Sequence, residues 1–282
     1  MRFPIGIMLE SFRCDTRAAM DMAAAMGVSG VQMYATSGEN APQNLTASDR
    51  RALLRMANDR GLRFSALCGD LGMGFGDPQR NSGLIARSLE ILQLAAELNC
   101  GIVTTHIGVV PADPKHPRYG IMQDACGKLA EHARELGSYF AIETGPETAA
   151  TLKHFLDGIG SRGIAVNMDP ANLVMVTGDD PVEAVYTLRE YIVHTHAKDG
   201  IKRKDGDPEV LYGVRKIEEV IRSADYFQEL PLGQGDVPFQ RYMTALEQIG
   251  YKGFLTIERE VGNHPLEDIG LAVDYLKSFM TK

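Results

Sequence analysis

Short apolar runs alternate with longer amphipathic segments along the whole chain. Eight of these runs are rich in Val, Ile, Phe or Thr and predict strands, at Phe3–Leu9, Gly30–Tyr34, Leu62–Cys68, Ile102–His106, Tyr139–Glu143, Ile164–Asp169, Ile192–Ala197 and Phe254–Glu258. The segments between them predict helices, at Thr16–Met26, Ala47–Arg60, Ser82–Leu98, Tyr119–Leu136, Thr148–Asp157, Pro181–Arg189, Phe239–Ile249 and Pro265–Phe279. Strand–helix alternation repeated eight times indicates parallel strands joined by helical crossovers. The pattern predicts one α/β domain over residues 1–282, a (β/α)8 or TIM barrel, a fold of roughly 250 residues.

An open, doubly wound sheet is the alternative architecture for the same alternation. Its dinucleotide fingerprint, G-x-G-x-x-G after the first strand, is absent from the sequence. A glycine-rich run at Gly72–Gly76 follows the third predicted strand instead, with the wrong spacing. It is interpreted either as a flexible loop over the barrel mouth or as a plain connection.

One connection is much longer than the others. Residues 199–238 separate the seventh strand from the next long helix, and they contain a short helical pattern at Val214–Arg222. Long loops inside compact domains are usually functional or disordered. Because this loop follows the carboxyl end of a barrel strand, where barrel enzymes keep their chemistry, we expect it to serve function.

Composition and charge narrow the classes of function. The formal net charge is −8, which disfavours a general nucleic-acid binder because phosphate backbones would be repelled. The four cysteines form no C-x-x-C pair, so a zinc–thiolate site has no support. A signal-peptide pattern and an apolar run long enough for a bilayer are also absent. The expectation is a cytoplasmic protein without a membrane or nucleic-acid partner.

Carboxylates and histidines fall where the predicted strands end. His106, Glu143, Asp169 and Glu258 each end an apolar run, and the seventh strand carries His194, His196 and Lys198 on alternate positions. Alternate positions share one face of a strand, and in a barrel that face is the interior or its mouth. Each residue alone could be a solvated carboxylate or a hydrogen-bonded histidine. Together they predict a metal site, since three clustered carboxylates need a counter-ion.

The ligand types at this site constrain the ion. Oxygen ligands with one imidazole suit Mn²⁺ or Mg²⁺, and also Co²⁺ or Zn²⁺. The predicted set is Glu143, Asp169, His196 and Glu258. One divalent ion, Mn²⁺ before the others, is therefore the expected cofactor.

Four motifs give the chain a resemblance to the xylose isomerase-like superfamily of sugar isomerases and epimerases. They are Tyr139–Thr144, Val166–Leu173, His194–Asp199, and Gly233–Asp236 followed by Gly253–Glu258. They resemble that family's fifth-strand glutamate, sixth-strand aspartate, H-x-H-x-K-D signature, and closing G-x-G-D loop with last-strand glutamate. The resemblance runs from about the fourth strand to the end and is specific for the superfamily but not for a member.

The resemblance also implies roles for residues around the metal. His106, which lies in a run similar to the family's fourth-strand histidine, and Lys198 would hydrogen-bond substrate oxygens. Asn172 stands where many members carry a histidine, which argues against several metals and leaves its expected substrate contact open. Glu147 would contact substrate or simply supply a charge at a helix start.

Two more residues of the seventh-strand motif have open roles. His194 would be a packed, hydrogen-bonded neighbour or a substrate contact. Asp199 would orient a metal ligand without binding the metal itself.

The implied reaction is proton transfer next to the carbonyl of a sugar or sugar phosphate. The metal would chelate a ketose and stabilise an enediolate, while Glu143 and Glu258 remove and return the proton. Return on the opposite face gives epimerisation, and return to the neighbouring carbon gives aldose–ketose isomerisation. The sequence leaves this choice open.

Gly233–Asp236 is a candidate phosphate-binding loop. The resemblance to the family also implies a homo-oligomer, either a dimer or a tetramer.

Three alternatives share the same barrel. A lyase or dehydratase acting on a sugar, inositol or glycoside derivative would use the same metal site and the same first step. An apurinic-site endonuclease is disfavoured by Asn172 and the charge of −8. A non-catalytic sugar binder is the third alternative, and the filled metal-ligand positions disfavour it.

Overall fold

The computed structural model describes residues 3–218 and 221–280. Within them, eight parallel strands close into a barrel in the order β1-β10-β7-β6-β5-β4-β3-β2. These strands are β1 (Ile5–Met8), β2 (Gly30–Tyr34), β3 (Arg63–Cys68), β4 (Ile102–Thr105), β5 (Tyr139–Glu143), β6 (Ile164–Met168), β7 (Ile192–Ala197) and β10 (Leu255–Ile257). The predicted (β/α)8 fold is confirmed, and every predicted strand lies within a few residues of its position.

Helices surround the barrel and connect successive strands. They are α1 (Thr16–Ala25), α2 (Ala47–Asn58), α3 (Pro78–Glu97), α4 (Pro117–Glu135), α5 (Ala149–Ile159), α6 (Pro170–Asn172), α7 (Pro181–Thr187), α9 (Phe239–Gln248) and α10 (Pro265–Met280). Helix α2 begins with a capping box between Thr46 and Asp49. Helix α3 begins four residues before its predicted start, because Asp77 caps it and Pro78 fits its first turn.

The long connection after β7 forms a small sheet of its own. Strands β8 (Asp199–Lys202) and β9 (Phe227–Leu230) pair antiparallel, with the one-turn helix α8 (Pro208–Leu211) between them. The helix predicted at Val214–Arg222 is wrong for residues 214–218 and 221–222, while 219 and 220 lie outside the described residues. The turn forms earlier because Asp207 caps it and Pro208 occupies its first position. We call residues 199–238 the insertion.

The glycine-rich run after β3 is a packed connection. Phe75 is buried, and its amide donates to the carbonyl of Ile107 at 2.8 Å. Gly74 has a φ of +59°, and a Cβ there would lie 2.7 Å from the same carbonyl oxygen. A larger residue would therefore strain the backbone and clash, so glycine at this position lets the loops after β3 and β4 approach closely.

None of the described helices has both the length and the apolar character needed to cross a bilayer.

Candidate metal centre

The structure brings the four predicted ligands together. Glu143 ends β5, Asp169 follows β6, His196 lies in β7 and Glu258 follows β10. One ligand atom from each lies within 4.8 Å of all the others, and all four residues are buried. Four strands that are neighbours around the barrel thus converge on one point at their carboxyl ends, as the sequence predicts.

Two atoms at this point have no hydrogen-bond partner among the described residues. They are Oδ2 of Asp169 and Nδ1 of His196, which lie 3.4 Å apart. Nδ1 is also 3.2 Å from Oε2 of Glu258 and 3.6 Å from Oε1 of Glu143. Buried polar atoms are normally satisfied. Three carboxylates around a free imidazole nitrogen fit a bound cation in both chemistry and arrangement.

The orientation of His196 is fixed from across the barrel. Its Nε2 lies 3.0 Å from Oε1 of Gln32 on β2, and the Gln32 amide donates to Oγ1 of Thr104 at 3.0 Å. A proton on Nε2 would be donated to Gln32, so Nδ1 is the ring nitrogen that faces the carboxylates and could bind an ion. Sequence analysis missed Gln32, although a lone glutamine in the apolar run of β2 was an available signal.

The buried carboxylates of the cluster favour a positive charge between them. Burial lowers the pKa of His196, but Glu258 and Glu143 outweigh it and hold that pKa well above its usual value. Burial raises the pKa of Glu258, but Lys198 and His196 lower it by a larger amount. The pKa of Glu258 therefore lies below its usual range. Without a metal, a proton on the imidazole supplies the counter-charge that an ion would otherwise provide.

Lys198 lies in a buried network of charges beside the ligands. Its Nζ is 3.0 Å from Oε2 of Glu258 and 3.9 Å from Oε2 of Glu229, and it also contacts Glu260. Arg259 binds the other oxygen of Glu229 at 2.6 Å. Glu229, Arg259 and Glu260 were not predicted. Their pairing joins the insertion to the end of β10, and no local sequence pattern signals it.

His106 lines a cavity above the cluster and pairs with a carboxylate that was not predicted, while its contact with substrate stays a prediction. Its Nδ1 is 3.2 Å from Oδ2 of Asp70, and its buried Nε2 is 3.6 Å from Oε1 of Glu143. Burial lowers the pKa of His106, but Glu143 and Asp70 raise it to about 9. The ring is therefore held as a hydrogen-bond donor at the edge of the ligand cluster.

Two asparagines hold Glu143 in place. The Asn167 amide donates to Oε2 at 3.0 Å, and the Asn172 amide donates to Oε1 at 3.1 Å. Asn172 also lines the cavity, so its predicted contact with substrate stays open.

His194 is a packed neighbour, because its two ring nitrogens lie 2.8 Å from Oδ1 of Asn167 and Oγ1 of Thr256. Burial lowers the pKa of His194 well below its usual value, so the ring is neutral.

Glu147 is buried and is not among the described residues that line the cavity. Its carboxylate accepts a hydrogen bond from the amide of Val110 at 3.2 Å. Its role in substrate binding stays a prediction.

The G-x-G-D loop serves structure in this conformation. Asp199 accepts hydrogen bonds from the amides of Gly233 and Gly235 at 2.9 and 3.0 Å. The amides of Gln234 and Asp236 donate to backbone carbonyls. All four amides of Gly233–Asp236 are therefore engaged, and the loop does not offer the phosphate site considered from the sequence. Asp199 organises this loop and does not contact a metal ligand directly in the described hydrogen bonds.

A cavity of about 600 Å³ opens above the cluster. Its floor carries Glu143, Glu258, Lys198 and His106, and part of its wall comes from the insertion. A small polar molecule in this cavity would meet the two glutamates, the ammonium group and the imidazole together.

The chain belongs to the xylose isomerase-like TIM barrel family, whose model matches residues 20–279. Among solved structures, it is similar to a xylose isomerase domain protein from Planctomyces limnophilus, with 25% identity, a TM-score of 0.79, and coverage of 98% of this chain and 96% of that one. No curated protein matches the sequence significantly.

Two further structures share the fold at lower identity. One is a probable 3-DHS dehydratase of petrobactin synthesis from Bacillus anthracis, with 16% identity, a TM-score of 0.75, and 98% and 99% coverage of this chain and that one. The other is the 3-keto-D-glucoside 4-epimerase YcjR from E. coli, with 15% identity, a TM-score of 0.74, and the same coverage.

Proposed function

We propose that the protein is a divalent-metal-dependent sugar isomerase or epimerase that transfers a proton next to a ketose carbonyl. The observation that carries this proposal is the convergence of Glu143, Asp169, His196 and Glu258, with two buried atoms lacking partners, at the floor of an open cavity. Membership of the xylose isomerase-like family supports it.

Three carboxylate ligands and Nδ1 of His196 would hold the metal ion. Mn²⁺ is the first choice, since it accepts both oxygen and imidazole ligands, and Mg²⁺, Co²⁺ and Zn²⁺ are the alternatives. When bound, such an ion supplies a Lewis acid that polarises a substrate carbonyl.

The protein's own groups would handle the proton. Glu143 and Glu258 belong to strands separated by β6 and β7, so they approach the cavity from different sides. One carboxylate would accept the proton from the carbon beside the carbonyl, and the other would return a proton. Lys198 and His106 would donate hydrogen bonds to substrate oxygens and so hold the reacting carbon between the two glutamates.

The test replaces each glutamate by its neutral, isosteric amide. We expect Glu143→Gln and Glu258→Gln each to lower turnover by at least about 10²-fold, because an amide cannot accept the proton. Turnover and deuterium incorporation would be followed by NMR in D₂O on a panel of ketoses and their phosphates, with Mn²⁺ present.

Glu90→Gln, on the exposed face of α3, is the matched control and should behave like the wild type. Circular dichroism would establish that the variants fold. Near-normal turnover in both site variants would remove the two glutamates from proton transfer. Loss of a substituent from the substrate, in place of simple exchange, would identify a lyase.

A further inference from the structure

Part of the cavity wall is apolar, in contrast to the charged floor, although the insertion also contributes Ser223, Gln228 and Glu229 to the lining. Leu211, Tyr212 and Phe227 of the insertion form this apolar part together with Met175 and Val176, which follow β6. Sugar hydroxyls would find few hydrogen-bond partners among these five side chains. Apolar lining is typical of sites that remove an apolar group from water.

This wall is held by packing on both sides. A Cβ added to Gly200 of β8 would lie 2.4 Å from Sδ of Met175, so this side chain is packed closely on the insertion. The Tyr212 ring lies 5.8 Å from the ring of His106, and Arg118 of α4 forms an ion pair with Glu209 of α8. The wall is therefore a fixed part of the cavity, and it reaches the group that would bind substrate.

The cavity is also larger than one sugar ring requires. At about 30 Å³ for each water, its volume of about 600 Å³ corresponds to roughly twenty water molecules. A hexose has only about twelve non-hydrogen atoms, and drug-sized ligands occupy pockets of about 300–1,000 Å³. Space remains for a second chemical group beyond the ring that contacts the floor.

The charges around the cavity disfavour a phosphate as that group. Its described lining residues include five carboxylates, on Asp70, Glu143, Glu229, Glu258 and Glu260. Lys198 is the single lysine or arginine among those described residues, and three of the carboxylates lie within 4 Å of its ammonium group. Even together with the imidazole of His106, a divalent ion would balance only part of this negative charge, so a phosphate dianion would be repelled.

On these observations, and on the basis of the proposed function, we propose that the substrate is an uncharged sugar that carries an apolar substituent, such as the aglycone of a glycoside. The sugar lies over the metal cluster. The substituent packs against Leu211, Tyr212, Phe227, Met175 and Val176. Sugar phosphates are excluded by the carboxylates.

The experiment measures binding by calorimetry to the Mn²⁺-loaded protein. The probes are phenyl β-D-glucoside, methyl β-D-glucoside and glucose 6-phosphate. We expect the phenyl compound to bind at least about tenfold more tightly than the methyl compound, since even one methylene in an apolar pocket changes recognition by about tenfold or more. Glucose 6-phosphate should bind more weakly than both.

Variants of two separate elements test the wall itself. Phe227→Ala in β9 and Leu211→Ala in α8 should each reduce the phenyl preference, whereas Phe227→Leu should keep most of it. Leu271→Ala removes an equally apolar but exposed side chain of α10 and serves as the control. Equal affinities for the phenyl and methyl compounds, no measurable phenyl binding, or tighter binding of the phosphate would each overturn the inference.

The binding assay requires no turnover, so the two proposals fail separately. A phenyl preference without proton exchange on any keto sugar, including phenyl 3-keto-glucoside, would overturn the proposed function. Exchange on ketoses with no phenyl preference would overturn the substrate class alone.

Discussion

Glu147 is a buried acid whose carboxylate has one described hydrogen-bond donor, the amide of Val110. Burial raises the pKa of Glu147 to about 8, although Val110 and His106 act in the opposite direction. An ordinary glutamate in an unfolded chain has a pKa of about 4.3. The folded protein therefore holds this proton more tightly than the unfolded chain does between about pH 4.3 and pH 8.

Glu147→Gln should flatten the pH dependence of stability in that window. Glu147 favours the folded state most below the unfolded pKa, and this contribution is lost as the pH rises toward 8. The variant cannot ionise, so its free energy of unfolding relative to the wild type should rise by at least about 1.4 kcal/mol between pH 5 and pH 8, the equivalent of one pKa unit.

Urea unfolding at both pH values measures the difference. Glu267→Gln, an exposed acid in the first turn of α10, is the control. A constant difference between Glu147→Gln and the wild type at the two pH values would contradict the assignment of a raised pKa.

At the scale of elements, the insertion is attached to the barrel through buried charge. Glu229 of β9 accepts hydrogen bonds from Arg259 at 2.6 Å and from the Glu260 amide at 3.1 Å. Arg259 also donates to Asp268 of α10 at 2.8 Å. Glu229 thus links the outer wall of the cavity, the residues after β10, and the last helix. Breaking a buried pair leaves an uncompensated charge, which is strongly destabilising.

Glu229→Ala should loosen the insertion while the barrel stays folded. We expect backbone amides of β8 and β9 to exchange with deuterium at least about tenfold faster, because a loss of about 1.4 kcal/mol already gives that factor. Amides of β4 and β5 should be unaffected. Asp205→Ala removes a highly exposed acid of the same insertion and should have little effect, as is usual for surface ion pairs. Unchanged exchange in Glu229→Ala would show that packing alone holds the insertion.

The insertion also marks where sequence reasoning fails. The barrel strands are apolar runs, and four of them carry a carboxylate or histidine at or near the carboxyl end, so both the fold and the four ligands could be predicted. Strands β8 and β9 have only four residues each and are rich in polar side chains. Glu229 and Arg259 are thirty residues apart, and their pairing depends on how the insertion folds back. Such contacts follow from tertiary packing and have no local pattern to reveal them.

On the scale of the whole molecule, the ligand cluster joins four of the eight barrel strands. Asp169 shows that the negative charge of this cluster is only partly compensated. Its Oδ1 accepts a hydrogen bond from the backbone amide of Asn172 at 2.9 Å, while its Oδ2 has no partner among the described residues. Its neighbours include two more carboxylates. The metal-free barrel therefore holds concentrated negative charge, which a bound cation would relieve in all four strands at once.

Asp169→Asn should abolish the stabilisation by metal and should raise the stability of the metal-free protein. At a metal concentration about 100 times the dissociation constant, binding stabilises the folded state by about 2.7 kcal/mol, so we expect Mn²⁺ to raise the wild-type Tm by about 5–10 °C. The variant should lose this shift. Without metal, its own Tm should exceed that of the wild type, because one buried charge is gone and its Oδ1 still accepts the Asn172 amide.

Calorimetric scans with Mn²⁺ and with a chelator provide the measurement. Asp274→Asn, on the exposed face of α10, should retain the full shift. An equal Mn²⁺-induced shift in Asp169→Asn and the wild type would mean that the ion binds elsewhere.

The four ligands all lie in the second half of the chain, and the last of them, Glu258, follows the final barrel strand. A growing chain that has passed β7 but not β10 therefore contains three of the ligands and lacks the fourth. Glu258 also needs β10 to pair with β1 and β7 before it reaches the others. An ion held by all four ligands would therefore stabilise only a barrel that has already closed, and a truncated chain would gain no such help.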